Sequence, residues 1–273
     1  MSTDRAGGKP VQGEPVVDRA FALLHAFSDA EPVLSAADLS RASGVPLSTT
    51  YRLVARLVAW GALERRPDGR YTVGLGLLEI ASLAPRGHGL REIAMPYLGD
   101  LADATRQHVL LAVREDDEAV LVERLSFRDA EPIHYRVGGR MPLHSTGVGL
   151  VLLAHADVET QERLLHRRLT RQPEGEPVDV TALRSTLAEV RRDGVAELHR
   201  GSPRPVLAVA GPVWDGRDRC TAALSVVVSD GSVSARHLVP AVRAACRAIS
   251  RALGAPRAEG RPDTTTTDPV DST

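Results

Sequence analysis

Between Pro46 and Arg70 the chain carries five arginines, Arg52, Arg56, Arg65, Arg66 and Arg70, against only two acids, Glu64 and Asp68. Ser48, Arg52 and Arg56 stand at i, i+4 and i+8, which puts them on one face of a helix. A guanidinium can take guanine O6 and N7 as a bidentate pair, and small hydroxyls can donate to phosphate or base edges. Thr49, Thr50 and Tyr51 lie beside this row, near a predicted helix start whose amides can also hold a phosphate. Tyr51 has two uses open to it, bracing the helix from inside or reaching the duplex. Ser35, at the head of the preceding helix, joins the candidate DNA-contacting set. Arg65, Arg66 and Arg70 flank Pro67-Asp68-Gly69 and suit contacts to the phosphate backbone. A single arginine on a helix is ordinarily just solvated. Here hydroxyls and arginines converge opposite an apolar stripe, and that points to duplex DNA.

The flanking pattern supplies elements able to position those groups. Val17, Ala20, Phe21, Leu24 and Phe27 recur at helical spacing and predict a first helix over 16–27, with that stripe inward. Ser35 followed by Asp38 predicts a capping box opening a second helix, which ends at Ser43-Gly44. A third helix begins between Pro46 and Ser48, buries Leu53, Val54, Leu57 and Val58, and closes at Gly61. Two short extended runs about Asp68-Gly69 then predict a hairpin. Helix, helix, short Gly-containing turn, helix and hairpin within about sixty residues make a winged helix-turn-helix, the third helix reading the major groove.

Composition bounds the rest. At 273 residues, two domains are the natural expectation. Net charge is −1, so the cationic region is local, as suits a protein touching phosphate with one surface. No run of about 18 apolar residues predicts a membrane span, and the polar, Gly-rich start does not resemble a signal peptide, so a cytoplasmic protein is expected. The two cysteines, Cys220 and Cys246, read as buried thiols. The nine histidines show no metal-ligand spacing, and neither metal nor cofactor is expected. Residues 1–14 and 254–273 are poor in large apolar groups and read as disordered ends.

Beyond residue 89 the periodicity predicts an α+β domain. A helix over 90–105 keeps Leu90, Ile93, Ala94, Tyr97, Leu98 and Leu101 in phase. Strands are expected over 108–114, 119–125, 133–137, 206–213 and 222–228, with helices near 146–155, 158–167, 180–193 and 235–253. Hairpin-connected strands with helices at both ends favour one antiparallel sheet. His144 beside Ser145 invites a nucleophilic reading, but no orienting group or oxyanion motif accompanies the pair, so a hydrolase is the remote alternative. Gly74-Leu-Gly76 follows a hairpin and so lacks the strand–turn–helix setting of a dinucleotide loop.

Three ordered segments carry a family likeness. Gly44-Val-Pro-Leu-Ser-Thr-Thr-Tyr-Arg-Leu-Val54, with Gly61-Ala-Leu-Glu64 and Tyr71-Thr-Val-Gly-Leu75, resembles the DNA-binding domain of the IclR family of bacterial regulators. Arg136-Val-Gly-Gly-Arg-Met-Pro-Leu-His-Ser-Thr-Gly-Val-Gly149 resembles that family's effector-domain signature. Ala210-Gly-Pro-Val-Trp-Asp215, followed by Ala222-Ala-Leu-Ser-Val226, resembles a third part. The resemblance implies a DNA-binding domain over 15–74 and a linker helix within 75–89, whose Leu77, Leu78 and Ala81 help pair subunits. It also implies a GAF-like effector-binding and oligomerisation domain over 90–253. The implied partners are a pseudo-palindromic operator, a small-molecule effector, and the chain itself as a dimer or dimer of dimers. By position the effector residues are Gly147, Val148, Val206, Ala208 and Ser225. The chain departs from the family pattern at 197–208, where an acidic run shrinks to Glu197, the cysteine position holds Ala208, and prolines and arginines enter. Those changes weaken the expectation of a small organic acid. An alternative is a DNA-binding regulator whose C-terminal domain only oligomerises.

Overall fold

The computed structural model describes residues 15–28, 30–127, 130, 133, 135–170, 175–201 and 205–256. The ends expected to be disordered, 1–14 and all but the first three residues of 254–273, lie outside them. The chain divides into two compact units, Met1–His88 and Gly89–Thr273.

The first unit runs α1 (Val16–His25), α2 (Ala36–Ser43), α3 (Leu47–Trp60), β1 (Leu63–Arg65), β2 (Tyr71–Val73) and α4 (Leu75–Ala81). Leu23, Leu39, Val45, Val54 and Leu63 are fully or almost fully buried and form its centre. The predicted capping box is present: the Asp38 N–H donates to Ser35 Oγ at 3.2 Å, and the Ser35 N–H donates back to the Asp38 carboxylate at 3.1 Å. Such a cap stabilises a helix by about 0.5–2 kcal/mol. α1 departs from expectation. Leu23 is its buried residue, Leu24 is half-buried, and Val17 and Phe21 from the expected stripe are exposed. The physical reason is reach, because only the C-terminal half of α1 meets the core.

β1 and β2 pair antiparallel, with Glu64 opposite Thr72, and Leu34 adds an isolated bridge to Tyr71. Gly74 and Gly76 then pass close to the end of α3. A Cβ on Gly74 would stand 2.3 Å from the Gly61 carbonyl oxygen, and one on Gly76 2.9 Å from it. The Gly76 N–H donates to that same carbonyl at 3.0 Å. Close backbone approach, not phosphate binding, accounts for this glycine pair.

The second unit holds α5 (Leu90–Thr105), β3 (His108–Glu115), β4 (Glu118–Leu125), β5 (Arg140–Pro142), α6 (Gly147–Ala154) and α7 (Val158–Leu165), then α8 (Val180–Asp193), β6 (Ala196–Arg200), β7 (Val206–Trp214), β8 (Cys220–Ser229) and α9 (Ala235–Ala252). Its sheet is antiparallel in the order β5-β4-β3-β8-β7-β6. Side chains alternate across it. Leu111, Val209, Leu224 and Val226 face α5 and α9, while Leu110, Ala208, Ala210 and Val227 face α6 and α8. Every residue of α6 is buried, as befits a helix apolar all round.

Two strand expectations are corrected. The strand expected over 133–137 is absent from its described residues, and pairing with β4 falls instead to Arg140–Pro142 after a turn at Gly138, where φ is +77°. β6 is an additional edge strand; its five residues alternate, Ala196 and Leu198 against Glu197 and His199, but the run is short.

Candidate nucleic-acid interface and ligand cavity

The α2–α3 turn is held by side chains bonding to its backbone. Ser40 Oγ donates to the Val45 carbonyl at 2.6 Å, Ser43 Oγ donates to the Leu39 carbonyl at 2.6 Å, and the Val45 N–H donates to Ser43 Oγ at 3.2 Å. With Val45 fully buried, these bonds set the angle at which α3 leaves the turn. Leu53 and Val54 anchor one side of α3, while Ser48, Tyr51, Arg52 and Arg56 are exposed and Thr49 is partly so. Tyr51 is 56% exposed, which settles its orientation outward.

Thr50 is the exception and a correction. Its side chain is 0% exposed, and its hydroxyl donates to the Val45 and Pro46 carbonyls at 3.2 Å each. It ties α3 to the turn and cannot touch DNA from there. Ser35 is partly buried, and its hydroxyl proton goes to Asp38 at 2.6 Å, so the side chain serves the cap. At the hairpin tip Arg70 grips Asp68 at 2.8 Å, and Arg66 stands 3.8 Å from the same carboxylate. Hydrogen bonds from the Arg70 side chain and backbone hold the Asp68 carboxyl below its usual range. Arg65, Arg66 and Arg70 are all exposed, leaving the tip net cationic.

In the second unit a narrow cavity of about 30 Å³ lies between α6 and the sheet. Gly147, Val148, Val206, Ala208 and Ser225, the five positions carried over from the family likeness, all line it. Thr146 caps α6, its hydroxyl accepting from the Gly149 N–H at 3.1 Å and donating to the Pro142 carbonyl at 2.8 Å. The Gly147 and Val148 amides that follow have no intrahelical acceptor. A Cβ on Gly147 would come within 3.1 Å of the Ala208 Cβ, so glycine there brings the helix start onto the sheet. A Cβ on Gly149 would stand 2.5–2.6 Å from Thr146 Oγ1 and the carbonyls of Pro142 and Leu143.

Sequence reasoning missed the rest of the lining, notably Ile133, Tyr135, Leu198 and Arg200. Arg200 Nη1 donates to the Tyr135 hydroxyl at 2.9 Å, with the guanidinium 5.8 Å from the ring centre. The one available signal was the entry of arginine into 197–208. Beside the cavity lies a depression of about 390 Å³, and Ser145, Leu198 and Arg200 border both.

Other candidate chemistry is accounted for locally. The His144 ring nitrogen Nε2 bonds the Thr170 carbonyl at 2.9 Å. Burial pushes the Cys220 thiol up to about 12 and the Cys246 thiol higher still. Among the described residues there is no cluster of three potential metal ligands, and no helix is long and apolar enough to cross a membrane.

Comparison with known proteins places this geometry. Residues 84–251 match the bacterial transcriptional regulator IclR C-terminal family, and residues 16–67 match the IclR helix-turn-helix domain. The chain is 30% identical over 245 residues to the HTH-type transcriptional regulator XynR of Escherichia coli, covering 88% of this chain and 97% of that protein. It is 28% identical over 269 residues to the HTH-type transcriptional repressor AllR of the same organism, covering 93% and 98%. Among solved structures, an IclR homologue from Microbacterium hydrocarbonoxydans complexed with 4-hydroxybenzoate superposes with a TM-score of 0.81 at 33% identity, over 88% of this chain and 99% of that one.

Proposed function

We propose, from the premise that the chain belongs to the IclR family of bacterial transcriptional regulators, that α3 reads the operator directly and that the α6 cavity holds the controlling ligand. The chain is a DNA-binding transcriptional regulator, as its relatives are, and not an enzyme. The observation that carries the proposal is the α3 ridge. Ser48, Arg52 and Arg56 stand exposed on the side opposite buried Leu53 and Val54, behind a turn stiffened by three side-chain bonds. On this reading Ser48, Thr49, Tyr51 and Arg52 enter the major groove, while Arg56 and the tip residues Arg65, Arg66 and Arg70 meet phosphate.

The domains assigned are 15–74 for DNA, 75–89 for the linker and 90–253 for ligand and self-association. Phe21 and Leu78, 56% and 63% exposed, are apolar surface that a second subunit would cover. A two-fold dimer would bind half-sites about 10 base pairs, or a multiple of that, apart. Ligand control rather than simple oligomerisation is favoured by the convergence of all five expected effector positions on one cavity. The coupling between ligand and operator would be worth about 1–3 kcal/mol.

Gel-shift titration of the full chain against duplexes from its own genomic neighbourhood tests the DNA assignment. One duplex should bind about a thousandfold or more tighter than random sequence. Equal binding to all sequences at low salt would reject sequence-specific reading.

A further inference from the structure

The hairpin tip sets one carboxylate, Asp68, among the guanidiniums of Arg65, Arg66 and Arg70. Asp68 Oδ2 accepts from Arg70 Nε at 3.0 Å and from Nη2 at 2.8 Å, so the edge of Arg70 suited to grip a phosphate is already filled. Arg66 Nε stands 3.8 Å from that Oδ2, beyond hydrogen-bond range. Asp68 Oδ1 accepts the Arg70 backbone N–H at 3.1 Å. The shape of the turn does not need the charge. Pro67 fixes its own φ and Gly69 takes φ +82°. The Arg66 N–H donates to the Arg70 carbonyl at 2.8 Å, and the Gly69 N–H donates to the Arg66 carbonyl at 3.0 Å. What the charge adds is a hold on Arg70 that Arg66 escapes. Both partners of that hold are about half exposed, and such ion pairs are weak, so a well-placed phosphate can displace the carboxylate.

Resting on the reading of the hairpin tip as a wing laid on the DNA backbone, we propose that Asp68 is a positioning residue that sets specificity by making the Arg70–phosphate contact conditional. Complexes on arbitrary sequence are held by charge and slide, so no fixed registry joins the tip to a phosphate. There Asp68 keeps Arg70, and Arg66 supplies the contact. Base contacts from α3 fix the registry on the operator. A phosphate is then held against the Nε–Nη2 edge of Arg70 and takes the place of the carboxylate. The extra contact forms on the operator and not elsewhere. Asp68 acts through Arg70 and does not itself touch DNA.

Fluorescence anisotropy of the full chain over a range of salt, on a mixed-sequence duplex and on the tightest genomic duplex, tests this. The salt slope counts phosphates neutralised, a readout that a purely structural role would not move. Asp68→Asn keeps an acceptor for the Arg70 N–H and removes the charge. It should steepen the mixed-sequence slope by about 0.9 per wing and leave the operator slope unchanged. The operator's advantage over mixed sequence should fall about threefold to fivefold. Asp68→Ser should do the same. The double variant Asp68→Asn, Arg70→Gln removes the whole pair at constant net charge. It should keep the wild-type slope on mixed sequence and flatten the slope on the operator, whereas Arg66→Gln should flatten both. Denaturant curves of each variant show that it is folded. Unchanged slopes in folded Asp68→Asn and Asp68→Ser overturn the proposal, as does equal steepening on both duplexes. A double variant with the wild-type slope on the operator overturns it too. If Arg66→Gln still flattens both slopes in those cases, the wing reading stands and only the role of Asp68 falls. If Arg66→Gln changes neither slope, the wing reading falls and the proposal falls with it. A chain that binds no genomic duplex above mixed sequence removes the operator and the proposal together.

Discussion

Replacing Arg52 with alanine separates a base-reading residue from a structural one, because the fold makes the two effects independent. Arg52 is exposed on α3, and no described residue bonds its guanidinium. Its loss should therefore change unfolding free energy by no more than about 0.5 kcal/mol, the usual range for such a surface site. A lost bidentate pair with guanine should cost about 1–3 kcal/mol of binding, roughly 5- to 150-fold in affinity. Thr50, two residues before Arg52 and buried, offers the converse control. Thr50→Val removes a buried hydroxyl bonded to two turn carbonyls, so it should lower stability by about 1 kcal/mol and leave base preference intact. The assay is fluorescence anisotropy on the tightest duplex and on each of its single base-pair substitutions, with denaturant unfolding run in parallel. Arg52→Ala should flatten preference at one base pair per half-site. A uniform loss across all duplexes would reassign Arg52 to phosphate, and unchanged affinity would remove α3 from the interface.

Three other outcomes follow from the geometry. Gly149→Ala forces a Cβ against two carbonyl oxygens and Thr146 Oγ1, so it should cost more than about 3 kcal/mol or prevent folding of the second unit, read by thermal melting. The carboxyls of Asp38, Asp68 and Glu162 are held low by hydrogen bonds from Ser35, Arg70 and Arg184, respectively, so their contribution is present above the unfolded values near pH 4 and lost as pH falls through the lower folded values. The melting temperature should accordingly drop on acidification below about pH 4, and the groups are exposed enough that salt should blunt the effect. With their thiols pushed up by burial, Cys220 and Cys246 should resist alkylation near pH 8 in the native chain and react after denaturation, counted by mass spectrometry.

The parts legible in the sequence were those where one local signal had one outcome. Ser35 and Asp38 could hardly do anything but cap α2, and Leu53 and Val54 left Arg52 and Arg56 only the opposite face of α3. α1 misled because it carries apolar residues on several faces, and periodicity cannot say how far along its length the core extends. Thr50 was placed on the wrong side because a threonine in a row of hydroxyls carries no mark of which carbonyls it will meet. β6 and β5 were hidden for a related reason. The alternation of Ala196-Glu-Leu-His-Arg200 spans only five residues, and Arg140, Met141 and Pro142 make a run too short to show any. The Arg200–Tyr135 pair joins residues 65 apart, and strand pairing gives no sign of it, because Tyr135 precedes β5 at one edge of the sheet while Arg200 ends β6 at the other.

The most direct test of the account is selection of genomic fragments by the purified wild-type chain at moderate salt, sequenced alongside the Arg52→Ala, Arg56→Ala double variant. The wild type should enrich a two-fold symmetric motif with half-sites about 10 base pairs, or a multiple, apart, and the double variant should lose that motif while staying folded. Enrichment of the same motif by both proteins, or of none by the wild type, would contradict an operator-reading α3.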